Sequence, residues 1–247
     1  MFRAMTTTDA GARAPLKDIS ALAVWIACAL IFATLIAFVL YNPQALAGPG
    51  RTTEQGLLEQ TQNLVLVISL ALTIDLLFRA NTKPLRGWLT IILIGLIYLF
   101  GEEISWGQHY FNWETFGIFL HINDQGETNF HNTADGWLDQ KPRALLLLGM
   151  ILGTIVHPLV KHFRKGRGLF DNPWWLAPTL ASLPPVIFSQ LAAMPKRLDE
   201  LHVFSLLPYV RWSEAEEVFI YIFFITYLLS LRTRLTQHKA LGINAAG

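Results

Sequence analysis

The chain has 247 residues, of which 53% are apolar and 15% charged, against about 25% charged in ordinary soluble proteins. Its 19 Lys and Arg balance 18 Asp and Glu, which excludes the high net charge of a disordered chain and the basic footprint of a nucleic-acid binder. A single cysteine, Cys28, excludes an intramolecular disulfide and a cysteine-built zinc cage.

What remains is an all-α, polytopic membrane protein, one membrane domain over 1–247. A spanning helix needs about 20 mostly apolar residues, and six segments qualify: about Ile19–Tyr41, Gln60–Phe78, Gly87–Ile104, Arg143–Val160, Pro173–Met194 and Glu217–Leu231. Lipid offers no partner for free backbone groups, so these are expected as helices. The first exceeds the 7–15 residues of a typical signal-peptide core and is read as an uncleaved helix, despite an Ala45-Leu46-Ala47 that resembles a cleavage site. The second carries Asp75 one turn before Arg79, which an ion pair explains. The fifth carries Pro178, Pro184 and Pro185, which predict a kink or local unwinding.

Lysine and arginine set orientation through the short loops. Thirteen of the nineteen fall in the N-terminal tail, the second and fourth loops and the C-terminal tail. That side is expected to be cytoplasmic, with both termini on it, in the cell (inner) membrane. Fourteen of the eighteen acids fall on the other side, with His109, His121, His131 and His202. Acids contribute little to topology, so their crowding points to a site on the extracytoplasmic face.

The third loop, about 105–142, is the long one. Long loops in compact proteins are mostly functional or disordered. This one is too aromatic for a linker, and is expected to fold back as a lid or as interfacial helices. If the third helix continues past Gly101, then Glu102, Ser105 and His109 share a face at i, i+3 and i+7. Glu127 and His131 stand at i, i+4, Glu214 and Glu217 at i, i+3, Glu59 and Asn63 at i, i+4. The second, third and sixth helices would thus open polar faces at one level, beneath Glu127, Asn129, His131 and Asn132. The fifth loop adds Asp199, Glu200 and His202.

Carboxylates with imidazoles are ligand chemistry for a divalent metal such as zinc, iron or manganese. A catalytic metal needs about three protein ligands and an open position whose water becomes the nucleophile. Glu102, His109, Glu127 and His131 are the expected ligands, Glu103 the general base, and Ser105 a catalytic neighbour. Asn129, Asn132, Glu200, His202, Glu214 and Glu217 complete the polar site. The plainer account of Glu102 and Glu103 is a helix-end pair at the headgroup level, each solvated or paired with Arg143 or Arg211. No His-Glu-x-x-His, nucleophile elbow or phosphate-binding Gly-rich loop is present.

Ser105-Trp106-Gly107-Gln108-His109 resembles the Ser-x-x-x-His element of the alkaline ceramidase and adiponectin-receptor-like superfamily. That resemblance covers five residues. It implies a polytopic zinc amidohydrolase of lipids, with His109 a zinc ligand and Ser105 beside the metal. The chain departs from the pattern in lacking the later His-x-x-x-His, where its sixth span offers Glu214, Glu216 and Glu217. The function expected is therefore a metal-dependent hydrolase of a lipid or lipid-linked substrate. The alternatives are an ion-coupled carrier, or a structural or assembly subunit of a membrane complex. The carrier would need polar groups through the membrane, and beyond Asp75 the spans offer scattered hydroxyls and one amide, Gln190.

Overall fold

A computed structural model describes residues 17–47, 56–123, 126–130, 137–164, 177–202 and 211–240, and they are helical without a strand. Ser20 opens the first helix, its hydroxyl oxygen accepting from the Ala23 N–H at 3.3 Å. Helix α1 then runs Ala21–Tyr41 without a charge, and a short α2 (Pro43–Ala47) follows. Gly56 caps α3 (Leu57–Arg79), with the Glu59 carboxylate reaching back to accept from its N–H at 3.1 Å. Pro84 in the first turn starts α4 (Lys83–Glu103), where no N–H is needed. Two single turns, α5 (Gln108–Phe111) and α6 (Phe119–Ile122), lie in the long loop. Helix α7 (Trp137–Ile151) passes through a π-turn (Leu152–Val156) into α8 (His157–Phe163). Pro158 explains the widened turn, because its ring displaces the carbonyl four residues earlier.

The last two helices are α9 (Leu183–Glu200) and α10 (Trp212–Ala240). Among the described residues, five helices are long and apolar enough to cross a membrane: Ala21–Tyr41, Leu57–Arg79, Lys83–Glu103, the continuous Arg143–Phe163, and Trp212–Gln237.

The segment expected as the fifth span differs in form. Residues 173–176 lie outside the described part, a 3₁₀ turn covers Leu180–Ser182, and the helix starts only at Leu183. Pro184 and Pro185 stand in its first turn, where the missing N–H groups cost nothing, so they begin a helix rather than kink one. Its C-terminal turns carry Lys196, Arg197, Asp199 and Glu200, and it is not among the five apolar enough by composition.

Helix α10 is the axis of the bundle: 67% of its most apolar window is buried, against 17–33% for the other four. A helix apolar all round belongs in a core. Its Ile220, Leu228 and Leu231 pack with Leu66 and Leu76 of α3 and Leu85, Leu89 and Leu96 of α4. Its other side packs with α1 and α9, where Phe188 stacks on Phe219 at 5.7 Å and Phe32 tilts against both. The outward residues of α1, among them Leu22, Ile26, Leu30 and Leu40, are exposed and apolar.

Charges separate to the two ends of the bundle. At one end Lys17 exchanges hydrogen bonds with Gln237, Asp75 pairs with Arg79 at 2.8 Å and Arg232 at 3.0 Å, and Arg234 donates to the Ala177 carbonyl. At the other end Glu59, Glu102, Glu103, Glu214, Glu216 and Glu217 are all buried.

Candidate functional site

Consecutive helix residues point about 100° apart, and the last turn of α4 uses that angle. Glu103 faces α10, where the Tyr221 hydroxyl donates to its Oε1 at 2.5 Å. Glu102 faces the loop. Its Oε1 accepts from the Trp106 indole at 2.8 Å and its Oε2 from the Phe130 backbone N–H at 2.7 Å. The adjacent acids therefore have different work: one enters the bundle and the other ties down the cover.

Glu214 and Glu217, three apart at the start of α10, share a face as their spacing requires. Gln62 of α3 lies opposite, fully buried. Its Nε2 donates to Glu214 Oε2 at 3.0 Å, to Glu217 Oε2 at 3.2 Å and to the Glu214 carbonyl at 3.0 Å. Arg143 of α7 pairs with Glu217 Oε1. One carboxylate oxygen each from Glu103, Glu214 and Glu217 lies within 4.8 Å of the others. Helices α3, α4 and α10 thus bring Gln62, Glu103, Glu214 and Glu217 together at one end of the bundle. Arg143 pairs with Glu217, and Arg211 with Glu59 at 2.8 Å. Arg197 and Gln190 of α9 hold Glu216.

A second cluster lies in the loop. Helix α4 stops at Glu103, so Glu102, Ser105 and His109 share no continuous helix face. Instead Ser105, Trp106 and Gly107 take φ of 46°, 55° and 106° and reverse the chain. Left-handed backbone at a serine and a tryptophan costs of order 1 kcal/mol each, and such strain concentrates at functional positions. The reversal brings Ser105 Oγ to 2.9 Å from His109 Nε2. Glu127 meets both: Oε2 accepts from Ser105 at 3.0 Å, and Oε1 lies 3.2 Å from His109 Nε2. Asn129 donates to Ser105 Oγ and Glu127 Oε2, each at 2.8 Å, and is held by Asn123 through its Oδ1. Ser105, Glu127 and Asn129 are buried. Gln108 fastens the loop by accepting from the Thr128 N–H and donating to the carbonyls of Trp113 and Gly126.

Of the expected metal ligands, His109 and Glu127 meet, Glu102 gives its carboxylate to Trp106 and Phe130, and His131 lies outside the described residues, as does Asn132. Glu103, expected as a base beside them, belongs to the carboxylate group with Glu214 and Glu217. The expected helix over Glu127–His131 is absent at its described end, where 126–130 form bends. Glu200 and His202 stand apart from the residues that gather in either group. Glu200 is largely exposed and pairs with Lys196 at 4.0 Å, and His202 is exposed past the end of α9.

Sequence reasoning passed over Gln62 and Tyr221. Gln62 carried a weak signal as an amide at the start of an apolar span, and Tyr221 carried none within an aromatic stretch.

A cavity of about 450 Å³ opens between α4, α7 and α10, lined by apolar residues from Trp88 to Tyr98 on α4 and by Leu145, Gly149, Phe223 and Tyr227. Its Tyr98 edge adjoins the loop, the Tyr98 ring standing 6.4 Å from that of Trp106.

Comparison of the chain with protein-family models, with characterised proteins and with solved structures finds no match.

Proposed function

We propose that this is a six-crossing membrane protein with both termini in the cytoplasm, and that its acidic end is an extracytoplasmic hydrolytic site for a lipid or lipid-linked substrate. The sixth crossing is α9 with the turn before it. Thr179 bonds Ser230 and Arg197 bonds Glu216, positions separated by about 21 Å along α10 at 1.5 Å per residue. That leaves Lys17 and Gln237 at the basic end, where the positive-inside rule puts the cytoplasm. Trp106, Tyr110, Phe111 and Phe116 are exposed on the loop, which suits the headgroup level.

The observation that carries the hydrolase reading is the meeting of Ser105, His109 and Glu127 in a buried, Asn129-braced group. Such a group can take a proton from a hydroxyl or a water and return it to a leaving group. The Ser105 hydroxyl stands against both Glu127 Oε2 and His109 Nε2, so its proton has two acceptors. A metal ion beside it would add Lewis-acid activation of water. The apolar cavity that adjoins Trp106 supports a substrate with a long hydrocarbon part.

The carrier alternative is disfavoured by the bundle interior. Ser69, Thr73, Thr154, Ser189 and Thr226 spend their hydroxyls on carbonyls three or four residues earlier, so they line no polar path.

The test is lipid mass spectrometry on purified protein reconstituted with a total lipid extract of its host membrane. Hydrolysis products should form, vanish in Ser105→Ala and Glu127→Gln, and persist in Glu200→Gln. Absence of any product from every lipid class would sink the reading.

A further inference from the structure

We infer that Glu103, Glu214 and Glu217 bind a hard divalent cation, with the Gln62 amide oxygen as a fourth ligand. The site is distinct from the His109–Glu127 pair. It rests on the hydrolase reading only in lying at the same acidic end of the bundle, and its binding can be measured without turnover.

Geometry comes first. Oxygen ligands sit about 2.0–2.6 Å from magnesium, manganese or calcium, so two ligands of one ion are at most about 4–5 Å apart. The three carboxylate oxygens lie within 4.8 Å of one another. Burial comes second. All three residues are under a tenth exposed; Arg143 brings a positive charge to Glu217, and a divalent ion would add to it where the three oxygens converge. They come from α4 and α10, whose packing would otherwise gain from keeping them apart.

Gln62 is the independent observation. Its side chain is fully buried and its Nε2 donates to two of the three carboxylates. Its Oε1, on the same carbon, is buried with no hydrogen-bond partner among the described residues. An orphaned buried amide oxygen costs about 1–3 kcal/mol. A half-turn of the amide exchanges the two atoms and puts Oε1 about 3 Å from Glu214 and Glu217, the spacing of neighbouring ligands in one coordination shell. In that state the cation replaces the N–H groups as the carboxylates' partner and Oε1 gains the ion as its own, while Nε2 takes the position that Oε1 leaves.

Around this shell the contacts orient the ligands, as outer contacts do in metal sites. Tyr221 holds Glu103 and Arg143 holds Glu217. An all-oxygen set of three acids and an amide selects magnesium, manganese or calcium over zinc, which favours nitrogen and sulfur.

The probe is Mn²⁺, titrated into the full-length protein purified in detergent and followed by the loss of its free electron-spin-resonance signal. One ion per chain should bind, be displaced by Mg²⁺ or Ca²⁺, and raise the melting temperature. Glu214→Gln should weaken it at least tenfold. Gln62→Glu, which adds a carboxylate, should bind it more tightly while melting lower in its absence. Glu200→Gln should match the wild type. No saturable Mn²⁺ binding, affinity unchanged in both site variants, or binding of Zn²⁺ alone would overturn the assignment. Cation binding without lipid turnover keeps this site and removes the hydrolase; lipid turnover by a protein that binds no cation does the reverse.

Discussion

The Tyr221 hydroxyl meets Glu103 Oε1 at 2.5 Å inside the bundle, joining the last turn of α4 to the middle of α10. Both residues are buried. A carboxylate taken from water keeps its charge only if donors or cations replace the lost solvation. Tyr221→Phe removes one such donor and leaves the shape unchanged. It should lower unfolding stability by about 1.5–3 kcal/mol, the range for a hydrogen bond to a charged group, measured by denaturant unfolding in detergent. A loss below a few tenths would show that Glu103 does not depend on the phenol.

The cover depends on a glycine. A β-carbon at Gly101 would stand 2.9 Å from the ring of Trp106, closer than carbon atoms approach. Gly101→Ala should push the indole off α4 and break its bond to Glu102. Overpacking of this kind costs about 1–3 kcal/mol. The expected readout is a red-shifted tryptophan emission with a lower melting temperature; an unchanged spectrum and melt would show that Trp106 does not pack there.

Gly153 and Gly149 lie one turn apart and should respond in opposite directions. A β-carbon at Gly153 meets Pro178 Cγ at 2.6 Å, whereas at Gly149 nothing lies within 4 Å. Gly153→Ala should therefore destabilise by forcing the π-turn away from Pro178. Gly149→Ala should be neutral or stabilise by up to about 1 kcal/mol, the helix-propensity difference. Paired thermal melts decide it, and equal effects would contradict the close packing of Gly153.

Orientation is read by labelling single cysteines in intact cells. Cys28 is buried, so it should stay silent to a membrane-impermeant maleimide. Glu200→Cys should react from outside, and Phe163→Cys, exposed at the other end, only after permeabilisation. The reversed pattern would invert the topology, and labelling of both from one side would remove the sixth crossing.

The chain's periodicity and charge determined a good deal alone. Five apolar runs became long helices because hydropathy is a local property, and the charged groups lie at the two ends of the bundle because helix ends stay at the ends. Glu214 and Glu217 share a face because three residues of helix return to nearly the same azimuth. The Asp75–Arg79 pair is likewise local.

Tertiary structure alone decided what meets across elements. Glu102 and Glu103 read as a pair, yet the 100° between them sends one to Trp106 and the other to Tyr221. Glu200 and His202 read as part of the acidic face, yet they stand exposed. Ser105 and His109 meet through a left-handed reversal that no helical spacing describes. Gln62 reaches Glu214 across 152 residues of chain, and such a contact depends on how α3 settles against α10, a packing choice among many apolar surfaces that look alike in sequence.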